Sequence, residues 1–517
     1  MVSNNKNDMN TSFHKKKNRF IPTGPMAVVV EVALLLVEAL FVFLLIKIDL
    51  IPVKYLIPVI VVLVLIFIGA MLLLGCGKKT IKRMWGFILS LVMMCILLLG
   101  SSYLFNTYAA FLSISDIGKS YDIYNVAVLD SSEYQEAEDI DGKTVYTIKS
   151  DKKTYKEAKG NLKGKATVKY KALNDAREVG EKLVEENGTT HDEIILVSRE
   201  DYQLYCEEIE GYKKQTRVLY QIKIESEDND SGEIDVTKDS FNVYISGIDV
   251  WGDINKRVSR SDVNMIATIN PKTRQVLLTS IPRDAYVKLH SFGQLDKLTH
   301  SGIYGIDETT QTVEDWLGIN VDYYVRANFG MIVKLVKAVD GIDVYSKYDF
   351  KSAISKYEYH KGWNHLNGKA ALYFARERKS FEDSDQERIK NQQKVVKAIL
   401  KKMTSSKVIL TRYTDILDAV KKNMQTDLSN QEMAALVKMQ LNDMDTEWTI
   451  NMNSIRGEMD KKGTYSMGYG RPLDVCIMDK KSMEKGVKLI NSVMYPEGNQ
   501  AIEIKDDKTT KGLKKKD

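Results

Sequence analysis

Arginine and aspartate recur between residues 249 and 392 at the ends of apolar runs, where side chains from distant stretches of a chain can meet. Asp249 follows the run 242–248. Arg260, Ser261 and Asp262 precede the run 263–269, and Arg283 and Asp284 come just after the run 275–281. Arg376 and Arg378 close the run 372–375, and Asp385, Arg388 and Gln392 recur at i, i+3 and i+7, which places them on one face of a helix. Arginines at i and i+2 after an apolar helix are poorly explained by solubility, because lysine, used freely elsewhere in the chain, would serve as well. A guanidinium offers a planar fork of donors that matches phosphate oxygens. Asp249 and Asp262 could bind Mg²⁺, which takes one or two carboxylates together with substrate phosphates. The helix face could carry a base, Asp385, beside phosphate-binding groups. The same spacing suits an Arg–Asp salt-bridge network that only holds loops together.

These residues need rigid elements to position them. Residues 242–248, 263–269 and 275–281 are rich in Val, Ile and Leu and read as buried strands, with Val325 and residues 342–345 in further strands. Residues 309–317, 328–339 and 370–374 read as helices. A longer helix spans 384–403, with Asp385 and Glu387 in its first turn, where negative charge suits the helix dipole. Helices continue through 404–497, for example over 430–441. This alternation predicts an α/β fold, a mixed sheet covered by helices on both faces, with the charged residues at element ends, where such sheets hold ligands. Upstream, residues 121–230 are polar and rich in Lys and Glu. Strands over 124–129 and 193–197 and a helix over 172–186, carrying Leu173, Ala176, Val179, Leu183 and Val184 on its apolar face, describe a small α/β accessory domain. Residues 225–239 look like a linker, and 505–517 form a charged, disordered tail.

Three apolar runs, about 26–45, 55–75 and 85–104, are each near the ~20 residues a helix needs to cross a bilayer. A cleaved signal peptide has one short apolar region, so three runs predict a permanent, multi-pass anchor in the cell membrane. Glu31 and Glu38 share nearly one face of the first span, against another helix or a partner membrane protein. Lys6, Lys15, Lys16, Lys17 and Arg19 precede the first span, and Lys78, Lys79, Lys82 and Arg83 separate the second from the third. The first loop has only Lys47 and Lys54, with Asp49. The positive-inside rule then puts everything after Asp116 outside the cell. The expected organisation is a cytoplasmic tail (1–24), three transmembrane helices (25–115), an accessory domain and linker (116–239), a main domain (240–497) and a charged tail (498–517).

Composition narrows the function further. Lys and Arg number 74 against 69 Asp and Glu, a net charge of +5 that argues against a nucleic-acid partner. Four cysteines without a CxxC pattern support neither a disulfide framework nor a zinc site. The chain contains no GxxxxGK[ST] and no HExxH. His360 and His365 sit in a polar stretch that reads as structural or solvated, and residues 466–470 read as a turn.

Gly247-Ile248-Asp249, Arg260-Ser261-Asp262, Ser280-Ile281-Pro282-Arg283-Asp284, Ala375-Arg376-Glu377-Arg378 and the run 385–393 together resemble the LytR-CpsA-Psr family, as do the runs 338–344 and 366–370. The three spans and intervening domain are similar to its capsule-type branch. The resemblance implies a Mg²⁺-dependent transferase that moves a glycopolymer, here a capsular polysaccharide, from a polyprenyl pyrophosphate carrier to peptidoglycan on the outer face of Gram-positive bacteria. Carried over, Asp249 and Asp262 match the Mg²⁺ ligands. Arg260, Arg283, Arg376, Arg378 and Arg388 match the pyrophosphate-binding arginines, Gln392 a neighbouring polar contact, and Asp385 the general base, with Arg376 and Arg378 beside it at the catalytic centre. Asn391 stands where many members have Arg, which implies one phosphate contact fewer. Asp340 replaces the first Gly of a Gly-Gly turn. Met331, Ile332, Leu335 and Val336 could line a groove for the carrier lipid or pack a core. The alternatives are a non-catalytic regulator or scaffold of a polysaccharide export complex, and a pyrophosphatase that hydrolyses the carrier.

Overall fold

The computed structural model describes residues 24–75, 80–115, 121–150, 153–185, 187–225, 234–252, 254, 259–420, 423–444, 446–466, 471–498 and 500–504. The basic residues ahead of Gly24, Lys78, Lys79, Asp116, most of the expected linker, residues 467–470 and the tail 505–517 lie outside them. The chain divides into two compact units, Met1–Ala109 and Ala110–Asp517. The division falls inside the third long helix.

The first unit holds α1 (Pro25–Ile48), α2 (Val53–Leu74) and all but the last turns of α3 (Thr80–Ser115). All three are long and apolar enough to cross a membrane. They pack through Leu34, Leu63, Ala70 and Leu97, and Glu38 is buried among them while Glu31 is half-buried.

In the second unit, β1 (Tyr121–Leu129), β2 (Thr144–Ile148), β3 (Lys169–Leu173), β4 (Ile194–Ser198) and β5 (Thr216–Glu225) form a sheet ordered β3-β2-β4-β1-β5. Helix α4 (Lys153–Lys163) packs on one face through Tyr155, Ala158 and Leu162. Helices α5 (Ala176–Gly180), α6 (Arg199–Glu208) and α7 (Tyr212–Gln215) cover the other through Val179, Tyr205 and Tyr212. The helix expected over 172–186 is only α5. Asp175 starts it by accepting the Arg177 N–H, and Gly180 ends it against the Tyr205 ring, where an added Cβ would meet Cδ1 at 2.9 Å. Leu183 enters the core from a turn and Val184 from an isolated β-bridge to Thr190.

The main domain follows with β6 (Phe241–Ile248), β7 (Ser261–Asn270), β8 (Gln275–Ile281), β9 (Tyr286–Lys288) and β10 (Leu295–Lys297). Next come α8 (Leu298–Ser301), α9 (Ile306–Leu317), β11 (Tyr323–Asn328), α10 (Phe329–Ala338), β12 (Ile342–Ser346), β13 (Phe350–Lys351), β14 (Glu358–Tyr359) and β15 (Gly362–Leu366). The chain continues through α11 (Gly368–Arg376), α12 (Ser384–Met403), α13 (Ser406–Val420), β16 (Met424–Thr426) and α14 (Asn430–Asn442). It ends with β17 (Thr449–Ser454), β18 (Gly457–Lys462), β19 (Leu473–Met478) and α15 (Lys480–Met494).

The central sheet runs β16-β11-β6-β7-β8-β17 and is mixed: β6, β7 and β8 are antiparallel neighbours, while β11 runs parallel to β6 and β17 to β8. Both faces are covered, as expected. Tyr244, Ile266 and Leu277 pack toward α9 and α15, and the alternate residues Val243, Met265 and Leu278 toward α12 and α14. Two features were not expected. The stretch after residue 404, read as helical, supplies both edge strands, β16 and β17, and the hairpin β18–β19. Strand β12 lies outside the central sheet and pairs with β15. Asp340, the replaced glycine, holds the left-handed conformation at φ 59°.

One irregularity sets up the charged residues. Gly247 opposes Val263 and Ile248 opposes Ser261, so Asp262 is the extra residue of a bulge beside Asp249. Gly247 is needed there, because a Cβ would lie 2.7 Å from the Cβ of Val263. Gly247→Ala is expected to cost about 1–3 kcal/mol through overpacking, read as a lower denaturant midpoint in the purified chain. Unchanged stability would show that the strands close without this contact.

Candidate active site

Every predicted charged group except Arg260 enters an ion pair at the end of the central sheet where β6 and β8 finish and β7 begins. Parallel strands present their carboxyl ends there, beside the N-terminus of α10. Arg283 Nη1 donates to Asp262 Oδ1 at 2.8 Å, and its Nε lies 3.4 Å from Asp284 Oδ2. Lys297, which the sequence reading passed over, places Nζ 3.0 Å from Asp284 Oδ1. Arg376 Nη2 is 3.2 Å from Asp249 Oδ2. Arg378 and Arg388 converge on Asp385 Oδ1 at 3.2 and 3.0 Å. Arg260 directly precedes β7, exposed and without a carboxylate partner among the described residues. Gln392 is half-buried on α12 and makes no hydrogen bond within the cluster among the described residues. Its neighbour Gln393 instead ties α12 to the sheet, donating to Leu278 O at 3.1 Å.

The salt-bridge network is therefore real, but it is incomplete. Arg283 Nε and Arg388 Nε are buried without a hydrogen-bond partner, and Asp385 Oδ1 meets its two guanidiniums at ion-pair distance with no aligned N–H. An unsatisfied buried donor costs about 1–3 kcal/mol. The five cations Arg283, Lys297, Arg376, Arg378 and Arg388 outnumber the four carboxylates that pair with them, Asp249, Asp262, Asp284 and Asp385. A network built only to hold loops together would close its donors and balance its charge.

Electrostatics agree with this. Burial works against the charge on Arg283, yet Asp284, Asp262 and Asp385 outweigh it and raise its pKa. Burial dominates at Arg388 and lowers its pKa, with Asp385 opposing and Arg283 and Arg378 adding repulsion. An anion placed among these groups relieves both burial and repulsion. Helix α12 adds the positive end of its dipole. Cys476 stands close by, its N–H donating to Asp284 O at 2.6 Å. Its thiol is pushed up to about 11 by burial, with Asp284 and Asp385 adding, so it stays neutral and is no nucleophile.

Three local features aim the side chains. Asn367 caps α11 by accepting the Ala370 N–H. Glu377, in extended backbone after α11, is fully buried and accepts N–H bonds from Ala353, Arg378 and Ser380. It pins the turn between the two arginines. Phe329 lies under Arg376, its ring centroid 4.3 Å from the guanidinium carbon, a cation–π contact. The sequence signal for Glu377 was an acidic residue between two arginines, and no signal announced Phe329. Asn391 is buried and accepts from Lys394 at 3.2 Å while its Nδ2 is unpaired.

The apolar stripe of α10 divides. Leu335 and Val336 are core residues, whereas Met331 and Ile332 are only half-buried. On the sheet face toward α12–α14, Ile245 and Val325 of the central strands remain half-buried, as do Val396, Leu400, Tyr413 and Met433 of the helices. His365 pairs with Asp343 at 2.8 Å on the surface, apart from this chemistry. Among the described residues no group of three or more His, Cys, Asp or Glu forms a metal cage.

Residues 207–484 match the model of the LytR_cpsA_psr family. A polyisoprenyl-teichoic acid–peptidoglycan teichoic acid transferase, TagU, of Enterococcus faecalis is 36% identical over 197 residues, 38% of this chain and 64% of that protein. TagU of Bacillus cereus is 32% identical over 219 residues, 42% of this chain and 70% of that protein. TagT of Bacillus subtilis, named for the same transfer, is 38% identical over 213 residues, 40% of this chain and 65% of that protein. The chain thus spans about two thirds of the length of these relatives. The family match covers more than half of the 517 residues and contains every element that carries the charged cluster, and the chain belongs to the LytR-CpsA-Psr family.

Proposed function

We propose that the chain is a membrane-anchored transferase that moves a glycopolymer from a polyprenyl diphosphate carrier to peptidoglycan outside the cell. The observation that carries this reading is the pair of buried guanidinium donors that make no hydrogen bond, Arg283 Nε and Arg388 Nε, inside a cluster with surplus positive charge. A diphosphate would satisfy both donors and neutralise the surplus. The half-buried apolar residues between the sheet and α12–α14 suit a polyprenyl chain. The three apolar helices keep the domain at the membrane that holds such a carrier. The polymer is teichoic acid in the named relatives, and the capsular polysaccharide expected from the three-span layout has no counterpart in their names.

In the proposed reaction a peptidoglycan hydroxyl attacks the phosphorus that bears the glycan. A new P–O bond forms, the P–O–P bridge breaks toward the carrier, the hydroxyl proton passes to Asp385, and polyprenyl phosphate leaves. Arg283 and Arg388 stabilise charge on the leaving phosphate, and Arg376 and Arg378 orient the phosphate under attack. Asp249 Oδ1 and Asp262 Oδ2 have no protein partner among the described residues, so these carboxylates fit Mg²⁺, which shares its ligands with phosphate and water. When bound, Mg²⁺ adds positive charge at the diphosphate.

Inorganic pyrophosphate at about 100 times its Kd should stabilise the wild-type chain by about 2.7 kcal/mol, read as a higher thermal midpoint that falls with salt. Arg388→Met should still fold, because Asp385 keeps Arg378 as its ion-pair partner, and lose that response. A variant that still responds would remove Arg388 from the anion site. For activity, the full chain in detergent is given lipid-linked teichoic acid or capsular donor and peptidoglycan. Transfer to the wall is expected, lowered about 100-fold by Asp385→Asn. Wall-free glycan as the sole product would establish a pyrophosphatase, and no reaction with either donor would favour a scaffold.

A further inference from the structure

Beside the charged cluster stands an aromatic pair that the ionic chemistry leaves unused. Trp251, two residues after Asp249, is 56% exposed. Its indole meets the Phe329 ring edge-on, with centroids 5.9 Å apart at 71°. Phe329 is the residue under Arg376, and Arg376 reaches Asp249, so Trp251 is linked through stacked contacts to both ends of one ion pair of the cluster. The segment is anchored: the buried Asn328 donates from Nδ2 to Gly252 O at 2.7 Å, while its Oδ1 accepts the Met331 N–H and caps α10. Trp251 is thus held in place and left uncovered, forgoing the burial that an indole would gain inside the fold.

We propose that the exposed indole of Trp251 is the stacking platform for the first sugar ring of the lipid-linked substrate, the ring joined directly to the diphosphate. The assignment rests on reading the charged cluster as a diphosphate site. A sugar bonded to one of the two phosphates lies one P–O–C linkage from the arginines, and Trp251 joins Arg376 through the shared neighbour Phe329. A pyranose presents an apolar C–H face to a flat aromatic ring and keeps its hydroxyls in water, which suits an indole that meets its neighbour edge-on and stands largely in solvent. A lipid surface or an apolar protein partner would call for a broader patch. Among the described residues, Trp251 is the only exposed large hydrophobic between Val218 and Leu295.

The test uses the full chain in detergent micelles and two ligands, a short polyprenyl diphosphate and the same lipid carrying a single N-acetylglucosamine. Wild type should bind the sugar-bearing ligand about fivefold more tightly, the scale of one aromatic contact. Trp251→Ala should abolish that difference and leave the sugarless affinity within about twofold, and Trp251→Tyr should keep most of it. A difference that survives Trp251→Ala, or an equal loss for both ligands, overturns the assignment. Arg283→Ala should weaken both ligands alike. If it weakens neither, the diphosphate reading itself fails and this assignment falls with it.

Discussion

The structure depends on a surplus of guanidinium charge held partly out of water. A surface arginine satisfies its five donors with solvent at little cost. Arg283 and Arg388 instead sit in a cluster where burial, neighbouring cations and unaligned carboxylates leave Nε donors open. Such an arrangement is unfavourable in isolation. It persists because the surrounding fold fixes each group, and a dianionic group is the simplest chemistry that completes it.

The fold supplies that fixation from several directions. The β6–β7 bulge makes Asp262 the extra residue of β7 opposite the end of β6, from which Asp249 follows, and Gly247 allows the strands to close there. Glu377 anchors the turn that separates Arg376 from Arg378. Gln393 ties α12 to the sheet next to the helix end that bears Asp385 and Arg388. Phe329 holds Arg376 from below, and the Asn328 side chain joins α10 to the segment after β6. Each of these residues touches a functional group or the backbone that carries it.

Much of this was legible in the sequence. Strands β6, β7 and β8 stand out because both of their faces are buried, which leaves near-continuous runs of Val, Ile and Leu. The arginines and aspartates were legible because their types and spacing are costly to explain as a plain surface. Edge strands β16 and β17 were not: each is short, and its burial depends on a neighbour that sequence order does not reveal. The helix expected over 172–186 failed because Leu183 and Val184 keep helical spacing while Gly180 has already ended the helix. The sheet contact of Gln393 was not legible either, because one step along a helix turns a side chain by about 100° toward a different neighbour. Phe329 was invisible because an aromatic residue reads as core until its contact with a cation is seen, and Trp251 because its exposure shows only in the fold.

A structure of the full chain with a methylene-bridged diphosphate lipid, which cannot be cleaved at the bridge, tests the central claim most directly. The account predicts two phosphate groups between β8 and α12, with oxygens accepting from Arg283 Nε and Arg388 Nε. Phosphates bound elsewhere, with both Nε donors still open, would contradict it.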